Sequence, residues 1–295
     1  MEPSAAKTET GRRWSAGRVL WSILRIAVGV YVGLCVLLFL FQGRLLYHPD
    51  DEIAYTPARL RLDYDEVALT TEDGVRLAAW YVPAEAPRGT VLFCHGNAGN
   101  MSHRLSTIEV WNGLGWNLLL FDYRGYGRSE GSPDEEGTYR DAEAAWQYLT
   151  AERGVAGTDL LVHGRSLGGA VAAWVAVQHP PKAVILESTF TSVPDAAARL
   201  WPGLPVRWLA RYEYGTLDRV SRLACPVLII HSRGDDLLPY AHGRALFEAA
   251  SPPKQFLEIH GPHGSGFVQS GAQYTGGLED FLARHVATGS ATTPR

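Results

Sequence analysis

Residues 160–177 constrain the fold more than any other part of the chain. They read LLVHGRSLGGAVAAWVAV, in which an apolar run leads into the turn GRSLG (164–168) and then into small residues typical of a helix. The glycines on either side of Ser166 remove side chains that would collide with the strand or the helix in so tight a turn. This strand–turn–helix pattern predicts that Ser166 is a nucleophile at a helix N-terminus, where the dipole favours negative charge.

A second copy of the same spacing surrounds Ser129, in GRSEG (127–131). With 31 glycines in 295 residues, such a spacing arises readily by chance. No apolar strand directly precedes this copy, and a Ser-Pro pair follows it, which is typical of a loop. We therefore predict a loop position for Ser129 and the nucleophile at Ser166.

The N-terminal segment predicts a membrane anchor. Residues 1–18 are polar and on balance basic, which predicts a disordered tail, whereas residues 19–41 are mostly apolar and carry a single charge, Arg25. A helix of that length extends roughly 35 Å, enough to cross a bilayer core. A cleaved signal peptide and a buried core helix are the alternatives. No small-residue cleavage site follows the apolar run, and a core helix would be apolar on all sides.

The residues flanking this segment predict its orientation and the domain boundaries. More basic residues precede it than closely follow it, so we expect a single-pass protein with its N-terminus in the cytoplasm and its domain on the extracytoplasmic side. Residues 42–62, with acidic residues and prolines, are predicted to form a juxtamembrane linker. A globular domain over 63–288 and a disordered tail over 289–295 complete the predicted organisation.

Strands and helices alternate through that domain. A hairpin is predicted at 64–70 and 75–82, then strands at 90–94, 117–121, 160–162, 183–186, 227–230 and 255–259, and helices at 102–113, 134–152, 169–177, 240–250 and 277–286. This alternation predicts an α/β fold, with a mostly parallel sheet covered by helices on both faces. Residues 190–222 interrupt it with prolines and aromatics. They are interpreted either as a small lid lining an acyl pocket or as an insertion packing its aromatics on the domain.

A serine hydroxyl needs a general base, and a histidine after the last strand is the expected one in this kind of fold. His242 and His285 fall in predicted helices, whereas His260 and His263 both follow the last predicted strand. The Gly-Pro pair between them forms a loop that lifts the second clear of the strand, so we predict His263 as the base. These two histidines lack a third ligand at a recognisable spacing, so no metal is predicted.

Three carboxylates are candidates for orienting that histidine. Asp235 and Asp236 lie just past one predicted strand, and Glu187 follows the preceding one. Adjacent side chains point in different directions, so only one of the two aspartates can reach the imidazole. The other is predicted to face solvent or to cap the helix that begins near Tyr240.

Acyl transfer also needs backbone donors for an oxyanion. We predict the N–H of Leu167, directly after the serine, and the N–H of Asn97, in the loop after the strand 90–94. His95 in that loop is predicted to be structural. The net charge of −4 without a Lys/Arg block argues against nucleic acid as a partner, and the glycine-rich stretch 124–127 lacks a phosphate-binding pattern, so no cofactor is predicted.

Together these motifs resemble the α/β-hydrolase family of serine hydrolases. HGNAGNMSHRL (95–105), FDYRGYGRSEGSP (121–133), HGRSLGGAVA (163–172) and the run 229–239 are similar to its membrane-anchored branch, related to serine-aminopeptidase-like and protein-depalmitoylating hydrolases. In that family the acid follows a strand-end histidine by four residues, so the match of His231 implies Asp235. The family base often reads Gly-His-Asn or Gly-His-Asp, where this chain has Pro-His-Gly around His263.

The resemblance implies a membrane-anchored serine hydrolase that needs no cofactor or metal. Ser166 would attack an acyl carbonyl, His263 would act as base and then acid, and Asp235 would orient the imidazole. Esters or thioesters of lipid-like acyl chains are the expected substrates. The alternatives are a peptidase or amidase on the same triad and a catalytically dead, anchored binding domain.

Overall fold

The computed structural model describes residues 16–286. Residues 1–15 and 287–295 lie outside the described residues, and with them most of the tail predicted for 1–18 and all of the tail predicted for 289–295. The chain forms two compact units, Met1–Phe41 and Gln42–Arg295. The second unit contains the whole sheet.

Helix α1 spans Ala16–Leu46 and contains the apolar run predicted for 19–41. It is long and apolar enough to cross a membrane, and none of its residues is buried in the protein. That exposure does not fit the buried core helix considered above, which would pack an apolar face against its neighbours. The helix continues beyond 41, so residues 42–46 of the predicted linker are helical.

An eight-stranded sheet forms the centre of the second unit. Across the sheet the strands are β10 (Lys254–Ile259), β9 (Val227–Ser232), β8 (Ala183–Glu187), β7 (Leu160–Arg165), β4 (Thr90–Cys94), β6 (Asn117–Phe121), β3 (Arg76–Val82) and β2 (Asp65–Thr70). From β10 to β6 all neighbours are parallel, whereas the hairpin β2–β3 is antiparallel. The predicted α/β sheet is therefore confirmed.

Each central strand contributes to two hydrophobic cores, one on each face of the sheet. Successive side chains of a strand point to opposite faces, so neighbours such as Leu161 and Val162 in β7 belong to different cores. The same holds for Leu118 and Leu119 in β6. Burial on both faces explains why these strands are continuously apolar rather than alternating.

The helices that cover the sheet are α2 (Leu105–Gly113), α3 (Glu135–Gln147), α4 (Leu167–Gln178), α8 (Tyr240–Ala249) and α9 (Gly266–His285). The prediction that the last helix begins at 277 is wrong. Helix α9 begins at Gly266 and bends at Gly271, whose φ of 46° departs from helical values. Phe267 and Tyr274 are buried in this earlier part, and their packing offsets the low helix propensity of glycine.

The segment predicted as a juxtamembrane linker is folded onto the sheet domain. Strand β1 (His48–Pro49) pairs in parallel with β5 (Ala98–Gly99). The side-chain amide of Asn100 donates to the backbone carbonyls of Asp50 and Glu52, at 2.8 and 2.7 Å. These contacts explain why the compact unit begins at Gln42, before the predicted boundary at 63.

Three short helices, α5 (Val193–Leu200), α6 (Val206–Leu209) and α7 (Thr216–Val220), lie between β8 and β9. They form the predicted insertion at 190–222. Tyr214 is fully buried, and its hydroxyl lies 2.8 Å from that of Tyr47. Trp208, by contrast, is 92% exposed. The insertion therefore packs some of its aromatics on the domain and presents others to the surroundings.

Candidate active site

Ser166 occupies the tight turn between β7 and α4. Its backbone has φ 55° and ψ −122°, a conformation that non-glycine residues rarely adopt. A Cβ at Gly164 would lie 2.0 Å from the carbonyl oxygen of Gly168, and a Cβ at Gly168 would lie 2.0 Å from that of Cys94. Both glycines are thus required for the strand and the helix to approach each other, as the sequence pattern predicts.

His263 follows β10 and connects Ser166 to Asp235. Its Nε2 lies 3.0 Å from the Ser166 Oγ, and its Nδ1 lies 2.8 Å from the Asp235 Oδ2. The other predicted histidine, His260, instead contacts Ser270 through its ring and its backbone. The structure therefore brings together the serine, the histidine and the aspartate selected from the sequence.

The carboxylate of Asp235 is hydrogen-bonded to three groups. Its Oδ1 accepts the backbone N–H groups of Leu237 and Leu238, at 3.0 and 2.7 Å, and its Oδ2 faces His263 and, at 3.6 Å, the Nε2 of His231. Burial alone would raise the pKa of Asp235, but the His263 imidazole and the two N–H groups lower it below its ordinary value. The carboxylate is therefore ionised at neutral pH.

Asp236 faces solvent, which is one of the two alternatives predicted for the second aspartate, and it does not cap helix α8. Its Oδ1 accepts the backbone N–H of His263 at 2.8 Å, while its side chain is largely exposed. The two adjacent aspartates thus bind the same histidine, one through the ring and one through the main chain. The sequence gives no signal for this second contact, because it depends on how two separate loops meet.

Glu187 lies behind the turn and does not reach His263. It accepts hydrogen bonds from Arg165 at 2.7 and 3.1 Å, from the Tyr274 hydroxyl at 2.7 Å and from the His163 Nε2 at 3.0 Å. Trp111 donates its indole N–H to the His163 Nδ1, which places the ring proton on Nε2, towards the carboxylate. Burial would raise the pKa of Glu187, but Arg165 and His163 lower it to about 2. This network braces the turn rather than orienting the base.

The two predicted oxyanion donors lie beside Ser166. A Cβ at Gly96 would be 3.4 Å from the Ser166 Cβ, so the loop that carries Asn97 runs directly against the serine. Within residues 16–286, the backbone N–H groups of Asn97 and Leu167 donate to no protein group. The Asn97 side chain is itself fixed, because its Nδ2 donates to the Leu46 carbonyl at 2.6 Å. Within the described residues, these two amides are therefore without a protein acceptor.

The remaining sequence candidates make no side-chain contact with the serine, the histidine or the aspartate. The Ser129 Oγ accepts the N–H of Ala78 at 2.9 Å and donates to the carbonyl of Asp122 at 2.8 Å, inside a loop. His95 is fully buried, with its Nε2 3.4 Å from Asp122. A residue that the sequence did not single out, Thr189, donates its hydroxyl to the Ser166 carbonyl at 2.7 Å. This hydrogen bond depends on the pairing of β7 with β8, so the sequence around Thr189 does not predict it.

Comparison with known proteins identifies the family to which the chain belongs. A family model described as serine aminopeptidase, S33, matches residues 85–216. An alpha/beta hydrolase domain-containing protein of Arabidopsis thaliana, WAV2, is 34% identical over 284 residues, which cover 87% of this chain and 92% of the relative. A lysophosphatidylserine lipase of Danio rerio is 28% identical over 341 residues, and the match covers 95% of this chain and 89% of the lipase.

Two further proteins are similar over most of the chain. A membrane protein of Saccharomyces cerevisiae, YNL320W, is 31% identical over 286 residues, 90% of this chain and 98% of its own. The solved structure of a Pyrococcus furiosus esterase superposes with a TM-score of 0.69 at 20% identity, over 82% of this chain and 98% of that chain. The last similarity concerns the fold alone, which is the sheet and turn described above. With a named α/β hydrolase matched along nearly its whole length, the chain belongs to the α/β-hydrolase family.

Proposed function

We propose that the protein is a membrane-anchored serine hydrolase that cleaves ester or thioester bonds through Ser166, His263 and Asp235. The observation that supports this proposal is the hydrogen-bonded chain from the Ser166 Oγ through both ring nitrogens of His263 to the Asp235 carboxylate, with distances of 3.0 and 2.8 Å. An ionised Asp235 keeps the ring proton on Nδ1. The Nε2 lone pair then faces the serine hydroxyl and can accept its proton.

The reaction proceeds in two halves. As Ser166 attacks the acyl carbonyl, its proton passes to His263, and the carbonyl oxygen becomes an oxyanion held by the N–H groups of Asn97 and Leu167. Collapse of this intermediate breaks the bond to the alcohol or thiol, which leaves with the proton from His263. Water, deprotonated by the same histidine, then attacks the acyl-Ser166 ester. The bond between the acyl carbon and the Ser166 Oγ breaks, the proton passes from His263 to the serine, and a carboxylic acid is released.

Similarity to relatives supports an acyl ester as substrate. One relative is named a lysophosphatidylserine lipase, and a structural neighbour is named an esterase. Hydrolysis of an ester with an apolar acyl chain is therefore the best-supported reaction. A peptidase on the same residues is the second candidate, because the matching family model is described as a serine aminopeptidase. Parallel assays with a p-nitrophenyl ester and an aminoacyl p-nitroanilide distinguish the two.

The anchor is the second part of the proposal. Helix α1 is long and apolar enough to span a bilayer, and the yeast relative is named a membrane protein. We place the N-terminus in the cytoplasm and the hydrolase domain outside, from the excess of basic residues that precede the span. Protease digestion of intact cells tests this orientation, because only an outward domain would be cut.

A fluorophosphonate probe tests the nucleophile without knowledge of the substrate. The full chain in detergent micelles should be labelled, and Ser166→Ala should abolish the labelling. Ser129→Ala is the matched control, since Ser129 has the same flanking glycine spacing. It should lose about 1–3 kcal/mol of stability with its two hydrogen bonds, one buried and one partly buried, yet stay labelled. Labelling of folded Ser166→Ala together with none of folded Ser129→Ala would show that the wrong serine was chosen.

A further inference from the structure

Residues 196–212 within the insertion have an unusual composition for a protein surface. They include three arginines, two tryptophans and three leucines, and no acidic residue. We call them the lid segment. Arginine and tryptophan side by side are typical of segments that lie at the interface of a membrane, where the rings sit at the headgroups and the cations meet lipid phosphates.

The exposure of the lid segment is equally unusual. Trp208 is 92% exposed, the greatest exposed fraction among the large exposed hydrophobic side chains of residues 42–286, and Leu200 is 48% exposed. Val206, on the same short helix, is buried and fixes α6 to the domain. Trp208 therefore projects into water from a helix that is fixed to the domain. An indole side chain is more stable at a membrane interface than in water.

The lid segment is also tied to the chain where it leaves the proposed membrane span. The Gln42 side chain donates to the Leu209 carbonyl at 2.7 Å and accepts the backbone N–H of Arg211 at 2.8 Å. Gln42 directly follows Phe41, the last residue of the apolar run, and Leu209 directly follows Trp208. The lid segment is thus hydrogen-bonded to the residue that directly follows the proposed span.

We propose that the lid segment docks on a bilayer containing anionic phospholipids, with Trp208 among the headgroups and Arg199 and Arg207 against lipid phosphates. Arg207 also pairs with Asp195 at 2.5 Å, with its side chain 63% exposed, so it can contact a phosphate from its outer side. The surface and the anchor then hold the domain at two points. The docking rests on the anchor proposed above and adds to it a lipid-binding surface within the hydrolase domain.

Fluorescence quenching tests the docking in the full chain. Trp208→Cys, labelled with an NBD fluorophore, is reconstituted in vesicles of phosphatidylcholine and phosphatidylglycerol that contain doxyl-labelled lipid. Glu72→Cys is the matched control, because the Glu72 side chain is 75% exposed on the β2–β3 turn. Background labelling of Cys35, Cys94 and Cys225 is subtracted using the unsubstituted chain. We expect roughly threefold stronger quenching at 208 than at 72, and a decrease when phosphatidylglycerol is omitted. Equal quenching at the two positions would overturn the docking.

Kinetics separate the docking from the hydrolase itself. In the same vesicles, Trp208→Ser should lower hydrolysis of a long-chain ester dissolved in the bilayer by about tenfold and leave hydrolysis of soluble p-nitrophenyl butyrate unchanged. An equal loss on both substrates would refute a role in docking. If the unsubstituted chain hydrolyses neither ester and resists the fluorophosphonate probe, the proposed function fails, whereas the quenching still reports on the surface.

Discussion

Replacing Asp235 by asparagine tests the proposed catalytic chain at the point where the structure constrains it most. The Asp235 Oδ1 accepts two backbone N–H groups, from Leu237 and Leu238. In Asp235→Asn the amide oxygen is expected to stay with these donors, because the opposite orientation would lose both hydrogen bonds, at about 0.5–1.5 kcal/mol each. The amide NH2 therefore takes the place of Oδ2, 2.8 Å from the His263 Nδ1.

This orientation gives His263 the wrong tautomer. An NH2 group donates to Nδ1, so the ring proton moves to Nε2 and points at the Ser166 Oγ, 3.0 Å away. The imidazole can then no longer accept the serine proton. We expect kcat to fall by about 10⁴, which corresponds to about 5.5 kcal/mol in the activation barrier.

The assay is kcat and KM on p-nitrophenyl butyrate, with thermal unfolding measured on the same samples. Asp236→Ala is the control, because it removes the acceptor of the His263 backbone N–H in an exposed position. It should cost about 1 kcal/mol of stability and less than about tenfold in kcat. A folded Asp235→Asn protein within tenfold of full activity, or a 10⁴-fold loss in Asp236→Ala alone, would refute the reasoning.

Four further outcomes are expected. Glu187→Gln leaves the buried Arg165 guanidinium without its carboxylate and should lower the free energy of unfolding by about 3–5 kcal/mol, measured by denaturation in detergent. The pKa of Glu187 is about 2 in the folded protein against an ordinary value of 4.5. The stability that its ionised carboxylate contributes is therefore complete above about pH 4.5 and is lost as the pH falls towards 2. A thermal stability that stays constant between these pH values would contradict the assignment. The full chain should stay in the membrane pellet after carbonate extraction, and recovery of a shortened mature protein would favour a signal peptide instead. A chain beginning at Gln42 should label with fluorophosphonate, whereas one beginning at Tyr55 should label poorly, since it lacks the carbonyls bound by Asn97 and Asn100.

Local patterns were sufficient for the centre of the sheet and for most of the site. The strand and helix around Ser166 are contiguous in sequence, and the glycine spacing encodes the close approach directly. His263 and Asp235 are each a few residues past a strand. Parallel strands end at one edge of a sheet, so residues in these positions meet without any further information.

Contacts between distant segments could not be predicted from local sequence patterns. The start of α9 at Gly266 depends on the burial of Phe267 and Tyr274, which overrides glycine propensity. The linker prediction for 42–62 rested on prolines and acidic residues. The fold of this segment depends instead on backbone carbonyls that Asn100 binds from 48 and 50 residues away along the chain. Backbone groups carry no sequence signature, so no pattern predicts such bonds.

Because the side chains of β7 alternate between the two hydrophobic cores, the number of residues in this strand cannot change freely. Leu161 and Val162 pack on opposite faces, and Ser166 follows at the end of the same strand. Inserting or deleting one residue here would exchange the faces of every following side chain in the strand and turn the serine away from His263. A whole segment added between two strands, such as 190–222 between β8 and β9, leaves both registers intact. New surfaces can therefore arise in this fold by lengthening its connections while the strands keep their residue count.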